Sequence, residues 1–385
     1  KTETGRMHRM KRFLTTLLLA ACMLSSLTGC GSKANEREGN GTLPIADNSV
    51  DFAYSLKLGW NLGNTLESTG TRLLNAETAW GQPKTTKEMI DYVKEAGFTG
   101  IRIPVTWSSH MNDDYTIDEM WMDRVQEVVD YGLDAGLYVI LNSHHDCEKY
   151  FPSEENLENG KAYLAAVWTQ ISERFKDYDE RLIFESMNEP RLINTAKEWW
   201  FTENDPDGLE SIRCIVEMNQ TFVDTVRSGE HYNKTRYLMV PSNAASAQNA
   251  LSDAFSMPED EADRVILSVH AYSPYDFAMN ANGYTEWTEE RAPELSFLDD
   301  LYEKFVKNGY GVVIGEMGAI NKDNYEDRIA WAKDYTEKAS ANKMSCFLWD
   351  NNGTKIGSEN FAMIDRRNQK IYYPEMLQAM LANYQ

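Results

Sequence analysis

Basic residues are in short supply in this chain: 38 Lys and Arg face 60 Asp and Glu, a formal net charge of −22 over 385 residues. Reading a phosphate backbone needs clustered cations, so a nucleic-acid partner is not expected. Cysteine is also scarce, with five residues at spacings that fit neither a disulfide framework nor a zinc site. Glycine-rich nucleotide loops of the Gly-x-Gly-x-x-Gly or Gly-Lys-Ser kind are missing. No apolar run reaches the ~20 residues of a comfortable membrane-spanning helix. Aromatic residues, in contrast, are plentiful: ten Trp, 20 Tyr and 14 Phe. That content excludes an intrinsically disordered chain, and the length is ample for one large packed domain.

The first 30 residues read as an export segment. Lys1, Arg6, Arg9, Lys11 and Arg12 make a basic head, followed by a short apolar stretch from Phe13 to Leu27 and then Thr28-Gly29-Cys30. Leu27-Thr28-Gly29-Cys30 resembles the bacterial lipoprotein box, which implies a signal removed ahead of Cys30 and a lipid on that cysteine. Residues 31–45 then form a flexible tether and residues 46–385 the folded domain, held at the cell surface or released outside the cell.

Short apolar runs alternate with helical patterns through residues 46–385. The runs are Leu58–Leu62, Gly100–Val105, Leu137–Asn142, Arg181–Ser186, Tyr237–Pro241, Val265–Val269, Val312–Gly315 and Ser345–Trp349. Between them, Thr85 and Glu88 suggest a capping box ahead of Met89, Ile90, Val93 and Ala96, with Gly97 as a stop. Leu164, Trp168, Ile171 and Phe175 form a second stripe, and Ile212, Ile215, Phe222 and Val226 a third. Eight strands alternating with helices predict a single (β/α)8 TIM barrel, with a doubly wound sheet as the competitor. Asn61, Arg102, His144, Glu189, Ser242, His270, Glu316 and Trp349 follow successive runs. A barrel gathers them at one mouth, and this favours the barrel.

Two of these strand ends carry carboxylates. Glu189 lies in Phe184-Glu185-Ser186-Met187-Asn188-Glu189-Pro190, and Glu316 in Val313-Ile314-Gly315-Glu316-Met317-Gly318. A carboxyl pair at one mouth suits glycoside hydrolysis, in which one group protonates the leaving oxygen and the other engages the anomeric carbon. Flanking glycines allow close approach of chain or ligand.

The segments Gly59-Trp60-Asn61-Leu62-Gly63-Asn64, Gly100-Ile101-Arg102-Ile103-Pro104, Asn142-Ser143-His144-His145, Asn188-Glu189-Pro190, His270-Ala271-Tyr272-Ser273-Pro274, Gly315-Glu316 and Trp349-Asp350-Asn351 together resemble glycoside hydrolase family 5. The likeness is to its subfamily 4 of bacterial endo-β-1,4-glucanases and covers residues 50–385. Gln82 stands where Asn is common there, and Ser143 where an apolar residue is usual. The resemblance implies a retaining hydrolase of β-1,4-glucan polysaccharide with Glu189 as acid/base and Glu316 as nucleophile. Arg102 would then keep Glu316 ionised, while the nearby charge favours a proton on Glu189. Asn188 would bind the sugar 2-hydroxyl, Tyr272 the nucleophile, and His270 would partner the acid/base. His144 and His145 would line the subsite of the attacked sugar, and Trp349 would lie under a pyranose ring. No cofactor or metal is implied; Asp146 and Cys147 do not turn the His144-His145 pair into a regular ligand set. A monomer is expected. Trp60, Trp80, Trp107 and Trp121 divide between packing and sugar contact. Trp199 and Trp200 are either a distal platform or a loop staple. A β-mannanase or xylanase on the same scaffold, or a non-catalytic glycan-binding lipoprotein, are the alternatives.

Overall fold

A computed structural model describes residue 43 and residues 45–385. The lipoprotein-like motif with Cys30, and nearly all of the proposed tether, lie outside the described residues. Eight parallel strands close into a barrel: β1 (Leu58–Asn61), β2 (Gly100–Ile103), β3 (Tyr138–Asn142), β4 (Leu182–Glu185), β5 (Leu238–Ser246), β6 (Val265–His270), β7 (Gly311–Met317) and β8 (Ser345–Leu348). Each strand pairs with its sequence neighbour, and β8 returns to β1. Every expected run is a strand, and the closed ring excludes the doubly wound sheet. β5 runs further than expected, because an irregularity between Pro241 and Ser246 lets pairing with β6 resume beyond the proline. Within that irregularity the Ser242 hydroxyl donates to the carbonyl of Ser246, the register partner of His270.

The helices begin with α1 (Ser49–Ser55), α2 (Lys87–Glu95), α3 (Glu119–Asp134), α4 (Leu157–Arg174) and α5 (Pro206–Ser228). On α4, Leu164, Trp168 and Ile171 are fully buried, as Phe175 is just beyond it; Ile212, Ile215, Phe222 and Val226 of α5 are buried likewise. α2 starts one residue later than the sequence suggests. Thr86, not Thr85, accepts the Met89 N–H, since the Thr85 N–H is taken by the buried Glu77 carboxylate. Glu77 is itself fixed by Arg124 at 2.7 Å. Gly97 ends α2 at a φ of +107°.

Glycine shapes the barrel interior. A Cβ on Gly59 would fall 2.2 Å from the Phe347 ring, and one on Gly100 2.8 Å from it. β1 and β2 therefore leave the space that Phe347 fills. Below this, α1 seals the floor. Ser49 Oγ donates to the Gly309 carbonyl and accepts the Gly311 N–H, pinning α1 to the start of β7. Phe52 stacks on Tyr237 with centroids 3.7 Å apart, and Leu43, Ile45 and Ala46 pack against the same cluster. The opposite ends of the strands carry the polar residues.

Candidate active site

Arg102, wholly buried on β2, is the hub of the mouth. Its Nε donates to Glu185 Oε2 at 2.7 Å, Nη1 to Glu316 Oε1 at 2.7 Å and to Asn61 Oδ1 at 3.0 Å, and Nη2 to Asn188 Oδ1 at 2.7 Å. Burial opposes its charge, but Glu185 and Glu316 outweigh that and hold the guanidinium more firmly protonated than usual. Asn61, in register with Arg102, also donates to the Gly315 carbonyl at 2.9 Å. Asn61 is thus a tie between β1 and β7, with no exposed surface.

Glu316 ends β7 beside His270, its register partner on β6. Besides Arg102 it accepts the Tyr272 hydroxyl at 2.8 Å. Glu189, just past β4, accepts His270 Nδ1 at 2.9 Å, while Arg191 stands 3.8 Å from its other oxygen. One oxygen of each carboxylate and a ring nitrogen of His270 all lie within 4.8 Å of one another. The two acids thus face one another across a gap that an anomeric carbon can occupy.

Proton placement follows from the donors. Arg102 Nη2 faces His270 Nε2 at 3.3 Å, and a guanidinium can only donate. Nε2 therefore accepts, and the ring proton sits on Nδ1, pointing at Glu189. A cation could not use that nitrogen while the proton is there, so the triad does not present three free ligand atoms. With a charged His270, Glu189 would fall below the ordinary carboxyl range, since its pull overcomes burial, and Glu316 would rise above it through burial. A neutral ring removes that pull. Arg102 and Tyr272 remain as donors that favour the charged form of Glu316.

The glycines flanking Glu316 serve side chains, not a ligand. A Cβ on Gly315 would meet Ser268 Oγ at 3.1 Å and His270 Nε2 at 3.2 Å, and one on Gly318 the Phe361 ring at 2.9 Å.

His144 accepts from Asn142 Nδ2 at 3.1 Å through Nδ1, so its ring proton sits on Nε2. Burial, then His145 and Arg102, hold its pKa far below the usual imidazole value. Its ring lies parallel to Trp349, 5.8 Å between centroids, and His145 stands exposed between His144 and Trp80. Trp349 is half-buried at the mouth. The Asp350 that follows it is fully buried, accepting Trp60 Nε1 and the Met363 and Ile364 amides. Trp60, Trp107 and Trp121 are core residues, whereas Trp80 is exposed. Trp199 and Trp200 are also exposed, 59% and 63%, and it is Phe201 that packs inward against Gly208. The Arg191 guanidinium lies 4.0 Å over Trp199.

The sequence reading passed over Glu185, Arg191 and the use of Ser143. Glu185 had a signal: a carboxylate inside an apolar strand has to find a buried cation. Ser143 replaces an apolar residue because its hydroxyl donates to Asp146 at 2.6 Å, and Asp146 also accepts the Trp107 and Ser108 amides.

The family model for cellulase (glycosyl hydrolase family 5) matches residues 64–355. The chain belongs to glycosyl hydrolase family 5. Among family 5 relatives, the cellulase/esterase CelE of Acetivibrio thermocellus is 40% identical over 374 residues, 94% of this chain and 44% of CelE. The chain thus spans less than half of that relative. Endoglucanase B of Ruminococcus albus is 42% identical over 330 residues, 85% of this chain and 78% of its own length. A GH5-4 broad specificity endoglucanase from Ruminococcus champanellensis, solved with cellotriose, superposes with a TM-score of 0.83 at 41% identity, covering 88% of this chain and 99% of that one. The family 5 match includes Glu189 and Glu316 with all their contacts described above.

Proposed function

We propose that the chain is a retaining endo-β-1,4-glucanase acting on β-glucans such as cellulose, mixed-linkage glucan or xyloglucan. The observation that carries this reading is that Glu189 and Glu316 face each other with one oxygen of each within 4.8 Å. A retaining pair stands about 5 Å apart, an inverting pair ~6.5–9.5 Å. Glu316 attacks the anomeric carbon, the bond to the leaving oxygen breaks, and that oxygen takes the proton from Glu189. Water then attacks the glycosyl-enzyme and gives a proton to Glu189, and the bonding pair returns to Glu316. His270 aims and hydrogen-bonds Glu189, and Asn188 is fixed by Arg102 so that its amide NH2 is presented to the sugar 2-hydroxyl. His144, Trp349 and Trp80 form the wall for the attacked side of the chain, and Trp199 a platform on the leaving-group side. Relatives named endoglucanases support glucan as the substrate class.

Proton NMR of fresh hydrolysate from soluble mixed-linkage glucan is expected to show the β-anomer first; the α-anomer first would refute retention. Clear preference for mannan or xylan in a side-by-side panel would overturn the substrate. We also read residues 1–30 as a lipoprotein signal with Cys30 as the lipid-bearing residue, which places the enzyme at the cell surface. Fatty-acid labelling that Cys30→Ala abolishes is the expected result, and no label on the unaltered chain would refute it.

A further inference from the structure

We infer that Glu185 is the standing counter-ion of Arg102 through the covalent stage of the reaction, a positioning residue without contact to substrate. The inference rests on reading Glu316 as the nucleophile. Arg102 has two carboxylate partners at opposite ends of its planar group, Glu185 on Nε and Glu316 on Nη1, each at 2.7 Å. Neither Arg102 nor Glu185 has any exposed surface, so water cannot solvate either charge.

The two partners fare differently during turnover. When the bond from Glu316 to the anomeric carbon forms, the Glu316 charge disappears into an ester, and a new carboxylate appears on Glu189. The donors nearest that new charge are His270 and Arg191. Arg102 would then be a buried cation with no directly bonded carboxylate, a destabilising situation where no substitute exists. Glu185 is that substitute. Its other oxygen accepts the Ser268 hydroxyl at 2.5 Å, and its Cα is in register with Asn142 and Met239 on the neighbouring strands, which fixes it below the reacting groups. Its charge persists while the Glu316 charge comes and goes.

Removing that charge has opposite consequences for the two half-reactions. With Glu185→Gln, Glu316 alone neutralises Arg102 in the free enzyme. Attack then strands the cation, and release of the sugar restores its partner. Glycosylation is expected to slow, read as a fall of about tenfold or more in kcat/KM for 2,4-dinitrophenyl β-cellobioside, equivalent to one pK unit of charge interaction. Reactivation of the enzyme trapped with a 2-deoxy-2-fluoro cellobioside, which reads deglycosylation, is expected to speed up severalfold. A residue that merely supports the fold would slow both steps or neither, and either pattern overturns the inference. Ser268→Ala, which withdraws one donor from Glu185 and keeps the carboxylate, is expected to move both rates the same ways to a smaller extent. It decides the matter alone should Glu185→Gln not fold. Peptide mapping of the trapped unaltered enzyme reads the nucleophile separately: a label away from Glu316 removes the underlying assignment, and the inference with it.

Discussion

Taking a single oxygen from Tyr272 probes how the nucleophile is kept charged. The hydroxyl donates to Glu316 Oε2 at 2.8 Å, and the ring packs against Phe361 with centroids 5.3 Å apart. Tyr272→Phe keeps that ring contact and deletes the donor. A hydrogen bond to an ionised group contributes ~1.5–3 kcal/mol. At ~1.4 kcal/mol per pK unit, losing it raises the carboxyl by roughly one to two units. The direction is fixed, because Tyr272 favours the charged form of Glu316 and lowers its pKa. The acidic limb of the kcat/KM profile on a soluble β-glucan should therefore move to higher pH by roughly one to two units. The proton is shared by the buried pair, so the limb reports the pair as a whole. A limb that stays put, or moves to lower pH, would contradict the donor argument, whatever happens to the rate at the optimum.

Two further outcomes follow from the same geometry. Burial lifts the Glu67 carboxyl to about 7, against the amides of Thr65 and Asn64 and the charge of Arg366. The folded chain keeps a proton there that the unfolded chain gives up near 4.5, so stability should fall between about pH 4.5 and 7, by about 3 kcal/mol in all. Glu67→Gln should flatten that stretch of the urea-midpoint curve, and an unchanged slope would refute the assignment. A Cβ at Gly63 would lie 2.8 Å from the Trp349 ring and 2.8 Å from the Asp350 carbonyl. Overpacking of this kind costs roughly 1–3 kcal/mol. Gly63→Ala should accordingly raise KM for glucan about fivefold while sparing the fold; an unaltered KM would mean that the ring is not a sugar platform.

The barrel was legible because its strands are short apolar runs, each followed by a polar group that would be wasted in a core. Glu189, Glu316, Arg102 and His270 could be placed at the mouth on that ground alone. Charges inside the strands were harder to read. Glu185 looks like an interruption until Arg102 is seen to use both ends of its guanidinium. The start of α2 was missed for a related reason: the Thr85 amide is claimed by Glu77, a residue of a different segment, and only tertiary structure exposes that competition. Tryptophans gave little away singly. Trp60 and Trp349 differ in a buried hydrogen bond to Asp350, which no local pattern encodes.

The plug formed by α1 gives the molecule a top and a bottom that differ in purpose. Because Leu43, Ile45 and Ala46 pack beneath the barrel, changes to them would loosen its floor and leave the groove and its two acids untouched.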